Sequence, residues 1–585
     1  MTEELIPAGS VEELQSAGFK VVSTPRAPVL VLWHEGAFRA IDNRCPHMGF
    51  PLHQGDVHDG LLDCHWHHAR FDVSCGQTLD PWADDVDAYR VVVRDGEVYV
   101  DPRRPARDPR THGLERLGRG LEDNLRLVLA KAVIELLEGG VPAREPIAAA
   151  ARFGAKERDE GWNVGLSILA AMGNVLPALG RADRPRALVH AISRVARDAS
   201  GHPPRRPLPP LEGTERGAAG LRAWFRETVE VRDARGAERV LAAIARRHGA
   251  RAALDAVLAA CTDHRYGDVG HTLDYAVKCA ELHELLGVEA DGELTALLFT
   301  SLVPQLVGMQ RMEETSAWRR PVDVAQLVAE AAGELPEAPF ERPADDGPLA
   351  GEDALVELLL GEDPAASVRA LVEELQGGAS PVALADAVVS AAVMRVLRFG
   401  KANELADWDT VHHTLTYANA VAEGLRRAPS RELFRGVLDG AMSVYLDRFL
   451  NIPPSPLPRL REPAPADPEP LLGELLDLYD GRSAVDEATA LAWRYLEGGG
   501  APARLFATLG TAVLREDNAF HEFQELEIAW RRLGRRGPDH PSTGRALCAA
   551  ARWLAVQYPT RRGAEQTFEI ARRLHRGEAL FEEGG

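Results

Sequence analysis

The hydrophobic pattern of this chain changes its period once. Up to about residue 102, apolar and polar residues alternate in short runs. VLVLWHEGAFRAIDN and AYRVVVRDGEVYVD each read as two strands around a tight turn, with Glu35-Gly36 and Asp95-Gly96 as the turn residues. From about residue 115 the alternation gives way to long Ala, Leu, Glu and Arg segments with a repeat of about 3.6 residues, among them LEDNLRLVLAKAVIELLEG, GAERVLAAIARRHG and ALLFTSLVPQLVGMQRMEE. The pattern predicts a multidomain protein: an N-terminal all-β domain over 1–102, then a large all-α domain. DPRRPARDPRTH makes 103–114 a Pro/Arg linker, and the helical region divides into 115–340 and 355–580. Proline-rich breaks fall at 202–213, 336–354 and 452–470, the last read as a long surface loop.

Composition narrows the class. A chain of 585 residues is too long for one core. A formal charge of -21 argues against a general nucleic-acid binder, and six cysteines do not make a disulfide framework. MTEELIPAGSVEELQ has neither the basic nor the apolar region of a signal peptide. No charge-free apolar run reaches the roughly 18 residues of a membrane span. The expectation is a cytoplasmic protein with no membrane and no nucleic-acid partner.

The chemistry concentrates in CPHMGFPLHQGDVHDGLLDCHWHHARFD, which holds Cys45 and His47 as C-x-H, then Cys64 and His67 as C-x2-H. Two thiols and two imidazoles could hold zinc, but a zinc finger usually places its cysteine pair before its histidine pair. Here the two types alternate, which suits a [2Fe-2S] cluster with two thiolates on one iron and two imidazoles on the other. With Pro46, Gly49, Pro51, Leu52 and Gly55 after the first pair, and Phe71, Asp72 and Gly76 after the second, residues 1–102 resemble the Rieske domain of the ferredoxin and oxygenase type. The resemblance implies a small all-β fold with the cluster at one tip, and His47 and His67 nearest solvent or a partner. It also implies an external reductase or ferredoxin as electron source. Phe50 and His65 or Trp66 stand where the respiratory-complex type has bridging cysteines, and HHARFD lacks that type's hydroxyl donors. Fewer hydrogen bonds to sulfur place the expected potential at the low end of the range. Cys75, His53, His58, His65 and His68 are given no ligand role.

The helical region holds an internal similarity. His271 opens HTLDYAVKCAE and His413 opens HTLTYANAVAE, which share the leading His-Thr-Leu, the Tyr-Ala and the closing Ala-Glu. In each, a His and a Tyr four apart share a helix face: His271 with Tyr275, and His413 with Tyr417. One reading is a pair of duplicated core helices; the other is a paired active site. His264 and Asp268 precede the first repeat, Asp409 and His412 the second, and NAFHEFQELEIAW places His521 four residues before Glu525. Histidines and carboxylates on facing helices can build an iron site. Candidate catalytic groups are therefore His271, His413, Tyr275 and Tyr417. Candidate ligands of a second, non-haem iron are His264, Asp268, His271, His412, His413 and His521.

The D-x2-H-x4-H iron motif of Rieske oxygenases is incomplete here. Asp268 and His271 are followed by Ala276, and Asp409 and His412 by Tyr417, so a standard oxygenase α subunit is rejected. GHTLDYAVKCAELHELLG and VHHTLTYANAVAEGL are similar to the questin oxidase-like family, which implies oxidative chemistry on aromatic polyketides. The leading expectation is an oxidoreductase in which electrons reach the helical domain for O2-dependent oxidation of an apolar or aromatic substrate. The alternatives are a non-catalytic electron carrier, or a redox sensor, with a helical docking scaffold. No P-loop, GxGxxG or GxSxG context appears, so the reductant lies outside the chain.

Overall fold

The structure is a computed structural model. It describes residues 5–80, 82–103, 108–213, 215–287, 291–314, 321–341, 347–457, 467–481, 484–576 and 578. Parts of two of the expected breaks, 336–354 and 452–470, and of the linker fall outside these.

Among the described residues, nine strands build the N-terminal domain: β1 (Ile6–Ser10), β2 (Phe19–Ser23), β3 (Pro28–His34), β4 (Ala37–Asp42), β5 (Asp56–His58), β6 (Leu61–Asp63), β7 (Arg70–Asp72), β8 (Val91–Arg94) and β9 (Glu97–Val100). They form three antiparallel sheets ordered β1-β9-β8, β2-β3-β4 and β5-β6-β7. Both expected hairpins form. Glu35 and Gly36 have φ of 47° and 78°, and Asp95 and Gly96 have 51° and 79°. Two successive positive φ values match the twist of the flanking strands.

Strand β3 is buried on both faces, so its period of two feeds two cores. Val29 and Val31 pack with Val22, Ala40, Val98 and Val100. Leu30 and Leu32 pack with Ile41, Leu52, Leu62, Phe71 and the two cysteines Cys45 and Cys64. Each buried aliphatic side chain contributes about 1.5–3 kcal/mol, so the cysteine pair sits in a stiff apolar setting.

Gly76 is where this core closes on itself. Its φ is +79°, and a Cβ there would lie 2.0 Å from the Val86 carbonyl oxygen. Gly76→Ala is expected to cost at least about 1–3 kcal/mol, read as a lower thermal midpoint of the cluster-loaded protein.

The chain forms two compact units: residues 1–149 with 563–585, and residues 150–562. This division differs from the sequence boundaries. The helices Pro109–Glu122 and Arg126–Glu138, with the C-terminal Gly563–Arg576, belong to the unit of the β domain. The first of these starts inside the expected linker. Asp108 accepts from the Thr111 amide and Pro109 occupies the first turn, where a missing N–H costs nothing. The proline-rich spelling there marks a helix start as well as a break.

The second unit is helical throughout its described elements. Its centre is built from Val164–Val175, His271–Leu286, Leu405–Arg427, His521–Arg536 and Pro541–Gln557. One stretch, Gly292–Glu314, is apolar and long enough to cross a membrane, at a mean hydropathy of 1.2, and 61% of it is buried. It contains two short helices, Gly292–Thr300 and Val303–Gly308, rather than one span.

Candidate metal centres

In the first unit, two tight loops carry the four cysteine and histidine ligand candidates. In the loop after β4, the Cys45 amide donates to the Phe50 carbonyl at 2.7 Å and the Gly49 amide to the Cys45 carbonyl at 2.7 Å. In the loop between β6 and β7, the Cys64 amide donates to Ala69 at 2.9 Å and the His68 amide to Cys64 at 2.8 Å. The loops repeat one backbone design, so each pair presents a buried thiol and a more accessible imidazole. Cys45 and Cys64 are 2% and 1% exposed, whereas His47 is half-buried and His67 exposed.

The donors converge. The thiols share a hydrogen bond, which raises the Cys45 pKa, helped by burial, and brings Cys64 down to about 6. Backbone amides of Trp66 and His67 also favour the Cys64 thiolate. The His47 and His67 rings meet edge-on at 4.8 Å. Burial lowers the His47 pKa, with His67 and Lys131 adding to it, and its Nδ1 is buried with no hydrogen-bond partner. An orphan imidazole nitrogen beside a thiol pair suits a metal group better than a solvated surface.

The neighbouring histidines are otherwise engaged: His53 pairs with Asn43 and His65 with Asp56. Phe50 and Trp66 pack at 5.8 Å across the two loops. All six cysteines are free. Cys75 is exposed, its thiol 3.9 Å from Gln77 Oε1.

A second candidate lies in the helical unit. His271 is the first residue of its helix, His413 lies within Leu405–Arg427, and His521 starts His521–Arg536. One ligand nitrogen of each lies within 4.8 Å of the others. His413 Nε2 and His521 Nε2 are 3.1 Å apart. The His271 ring lies 4.7 Å from His413 and 5.6 Å from His521. Burial, reinforced by the neighbouring imidazoles, takes the His271 pKa down to about 4 and that of His413 to about 2. Both are therefore neutral at pH 7, the form that binds metal. His521 Nδ1 contacts Gln524 Oε1 at 3.0 Å, and Gln524 donates to Asp274 Oδ2 at 2.7 Å. That relay fixes the ring, and such supports are typical around metal-bound histidine.

The backbone before His271 is strained. Tyr266, Asp268 and Val269 have φ of 49°, 47° and 50°, and Gly270 has 96°. A β-branched valine in this region is uncommon, and such clusters occur where function demands a geometry. An open cleft of about 510 Å³ begins here, lined by Asp268, Val269, His271, Tyr275, Pro304 and Gln305 among others.

The structure gathers only part of the expected ligand set. His264 is separated from His271 by the strained turn, because the helix does not run through Gly267 and Gly270. Its nitrogens contact Glu313 and Glu230, each at 2.6 Å, and the contacts raise its pKa against burial. Asp268 accepts from the Gln310 amide at 2.8 Å and from Thr272, at the cleft wall.

His412 points to another side of its helix than His413. Its ring stacks on Trp553 at 4.3 Å and meets the His521 ring edge-on at 4.9 Å, and its Nε2 lies 3.1 Å from Glu525 Oε2 but misaligned for a hydrogen bond. Burial keeps this imidazole neutral and pushes Glu525 up to about 8.

The two tyrosines diverge as well. Tyr275 stacks on His271 at 5.8 Å and lines the cleft, whereas Tyr417 is buried edge-on against Tyr266 at 4.9 Å. Phe520, 5.8 Å from His271, and Gln524 complete the surroundings and had not been singled out in the sequence. Gln524 shares a helix face with His521, the one signal that could have found it.

Comparison with known proteins bears on the first unit. Residues 4–90 match the family model of the Rieske [2Fe-2S] domain. The human apoptosis-inducing factor 3 is 32% identical over 97 residues, which is 16% of this chain and 16% of that protein. The 3-phenylpropionate/cinnamic acid dioxygenase ferredoxin subunit of Photorhabdus laumondii is 35% identical over 94 residues, 16% of this chain and 88% of the relative. The ferredoxin component of the alkene monooxygenase system of Xanthobacter autotrophicus is 31% identical over 98 residues, 17% and 80% respectively.

Proposed function

The chain belongs to the Rieske [2Fe-2S] family through its N-terminal domain, and from that premise we propose an oxidoreductase that takes electrons from an external reductase or ferredoxin and uses them in its helical unit. The observation that carries this reading is the convergence of His271, His413 and His521 from three helices, in a chain that also holds the Rieske ligand set. Cys45, Cys64, His47 and His67 fit a [2Fe-2S] cluster, with thiols buried and imidazoles toward solvent. When bound there, the cluster supplies one-electron transfer.

Imidazoles suit a first-row metal such as iron, and three of them leave coordination positions open. Inserting one oxygen atom of O2 into a C–H bond, with the other leaving as water, consumes two electrons and two protons, so a reductant is required. The cleft of about 510 Å³ beside His271 offers room for a small apolar or aromatic substrate against Tyr275. Tyr275 can orient it through its ring. Burial pushes the Tyr275 hydroxyl above its ordinary pKa, so it serves as a donor rather than a phenolate.

A second reading is favoured by the two ferredoxin relatives, each covered over most of its length. In it the protein carries electrons to a separate oxygenase, and the helical unit docks the partner.

Iron and acid-labile sulfide per chain, with EPR before and after dithionite, separates the two. The oxidase reading expects iron in excess of sulfide, with the excess lost in His271→Ala and His413→Ala. Iron equal to sulfide, with a Rieske-type signal alone, establishes the carrier.

A further inference from the structure

A polar cavity of about 210 Å³ in the first unit backs the loop that carries Cys45 and His47. Asp42, Arg44, Pro46, Asp84, Arg116 and Lys131 are among its walls. Lys131 comes from the helix Arg126–Glu138, beyond the residues that define the family domain. That helix is apolar almost all round, with Leu129, Ala130, Val133 and Ile134 fully buried. An ammonium in such a helix, itself 6% exposed, is costly unless it is fully engaged.

It is engaged on the ligand loop. Lys131 Nζ donates to the carbonyl of Pro46, the residue between Cys45 and His47, and lies 3.4 Å from Asp84 Oδ2. Asp84 is shared with other cations: Arg116 approaches it to 3.1 Å and Arg119 to 3.8 Å. Arg116 also reaches Glu135 at 2.8 Å, and Glu135 takes His112 at 2.7 Å. Burial works to raise the Asp84 pKa, but Arg116, Lys131 and Arg119 outweigh it and bring it down to about 2. Asp84 is therefore an anion split among three cations, and it offsets the Lys131 charge only in part; burial lowers the Lys131 pKa from its ordinary value, and Asp84 works against that shift.

We propose that Lys131 is a positioning and charge residue for the iron–sulfur centre: its hydrogen bond holds the Cys45–Pro46–His47 segment in place, and its buried positive charge makes the centre easier to reduce. The inference rests on the Rieske reading of this domain. Reduction adds a negative charge, and a cation held nearby in a low-dielectric setting stabilises that charge more than it would in water.

The test is the midpoint potential of the EPR-visible cluster in the full chain, for Lys131→Met, Lys131→Gln and Asp84→Asn. Both lysine variants are expected to fall by about tenfold in the one-electron equilibrium, which is ~59 mV. Asp84→Asn, which leaves the ammonium less compensated, is expected to shift upward. Opposite signs from two touching neighbours are not what a structural defect produces.

A wild-type potential in both lysine variants overturns the proposal. A wild-type value in Lys131→Gln alone removes the charge half of it and leaves the hydrogen bond. If the lysine variants do not fold, Asp84→Asn decides, and an unmoved or lowered potential refutes the charge role. A wild-type chain without a Rieske-type signal would instead refute the family-based reading, and is seen before any variant is made.

Discussion

On the proposed oxidase reading, His413→Ala is expected to remove iron held outside the iron–sulfur cluster and to abolish substrate oxidation, while the cluster's EPR signal stays at wild-type intensity. The argument is geometric. His413 Nε2 lies 3.1 Å from His521 Nε2, and its ring packs against both other histidines at 4.7 Å. Losing it leaves two imidazoles, too few to retain a metal against solvent. His413→Phe keeps a ring in the same space and separates packing from ligation. If the phenylalanine variant retained the extra iron, the trihistidine assignment would be wrong. Gln524→Leu probes the support behind the site, because Gln524 links His521 Nδ1 to Asp274. It is expected to weaken metal affinity by about 10–100-fold without removing a ligand, measured by competition with a chelator of known affinity.

Arg531→Met is expected to destabilise the helical unit by about 3–5 kcal/mol. Arg531 is 6% exposed and meets Glu281 at 2.6 Å, Glu527 at 2.7 Å and Glu423 at 2.9 Å. Glu527 also holds Lys278, itself 2% exposed. Replacing the guanidinium with a thioether leaves buried carboxylates short of a counter-charge, which is why breaking the network costs far more than an exposed pair would. Adding Glu527→Gln to Arg531→Met removes one orphaned charge and is expected to recover part of the loss. A double variant as unstable as the sum of the two singles would sink this account.

The same network sets an acid limit. Burial pushes the Glu527 carboxyl up, but Lys278 and Arg531 outweigh it and bring it down to about 2 from an ordinary 4.5. A carboxylate whose folded pKa is depressed stabilises the fold above its unfolded pKa and loses that contribution as pH falls through the folded one. Urea midpoints are therefore expected to drop between about pH 4.5 and pH 2, and less steeply in the Glu527→Gln variant.

These sites differ in how far the chain itself revealed them. The four candidate cluster ligands could be singled out because each loop is local: Cys45 with His47, and Cys64 with His67, are separated by one or two residues, and the turn chemistry around them is local too. Glu35-Gly36 and Asp95-Gly96 were legible for the same reason, since their positive φ values depend on neighbours in sequence. The change of period at the end of the β domain likewise announced the switch from strand to helix.

Helical periodicity is less decisive. It shows which face of a helix is apolar, but not which helices meet. The chain offered six candidate ligands for a second iron and no means of choosing among them. Folding stacked the His412 ring on Trp553, and still 4.9 Å from the His521 ring, while it brought His413 Nε2 to 3.1 Å from His521 Nε2, 108 residues away in the chain. It set His264 apart through a strained turn that no propensity announces. It also carried Lys131 and the C-terminal helix Gly563–Arg576 into the unit of the β domain. By itself, then, the sequence determined the two Cys/His loops and the two secondary-structure regimes, because both depend on residues a few positions apart. Only the tertiary structure brought His271, His413 and His521 together and set the Lys131 charge behind Pro46, because those contacts depend on packing between elements that lie far apart in the chain.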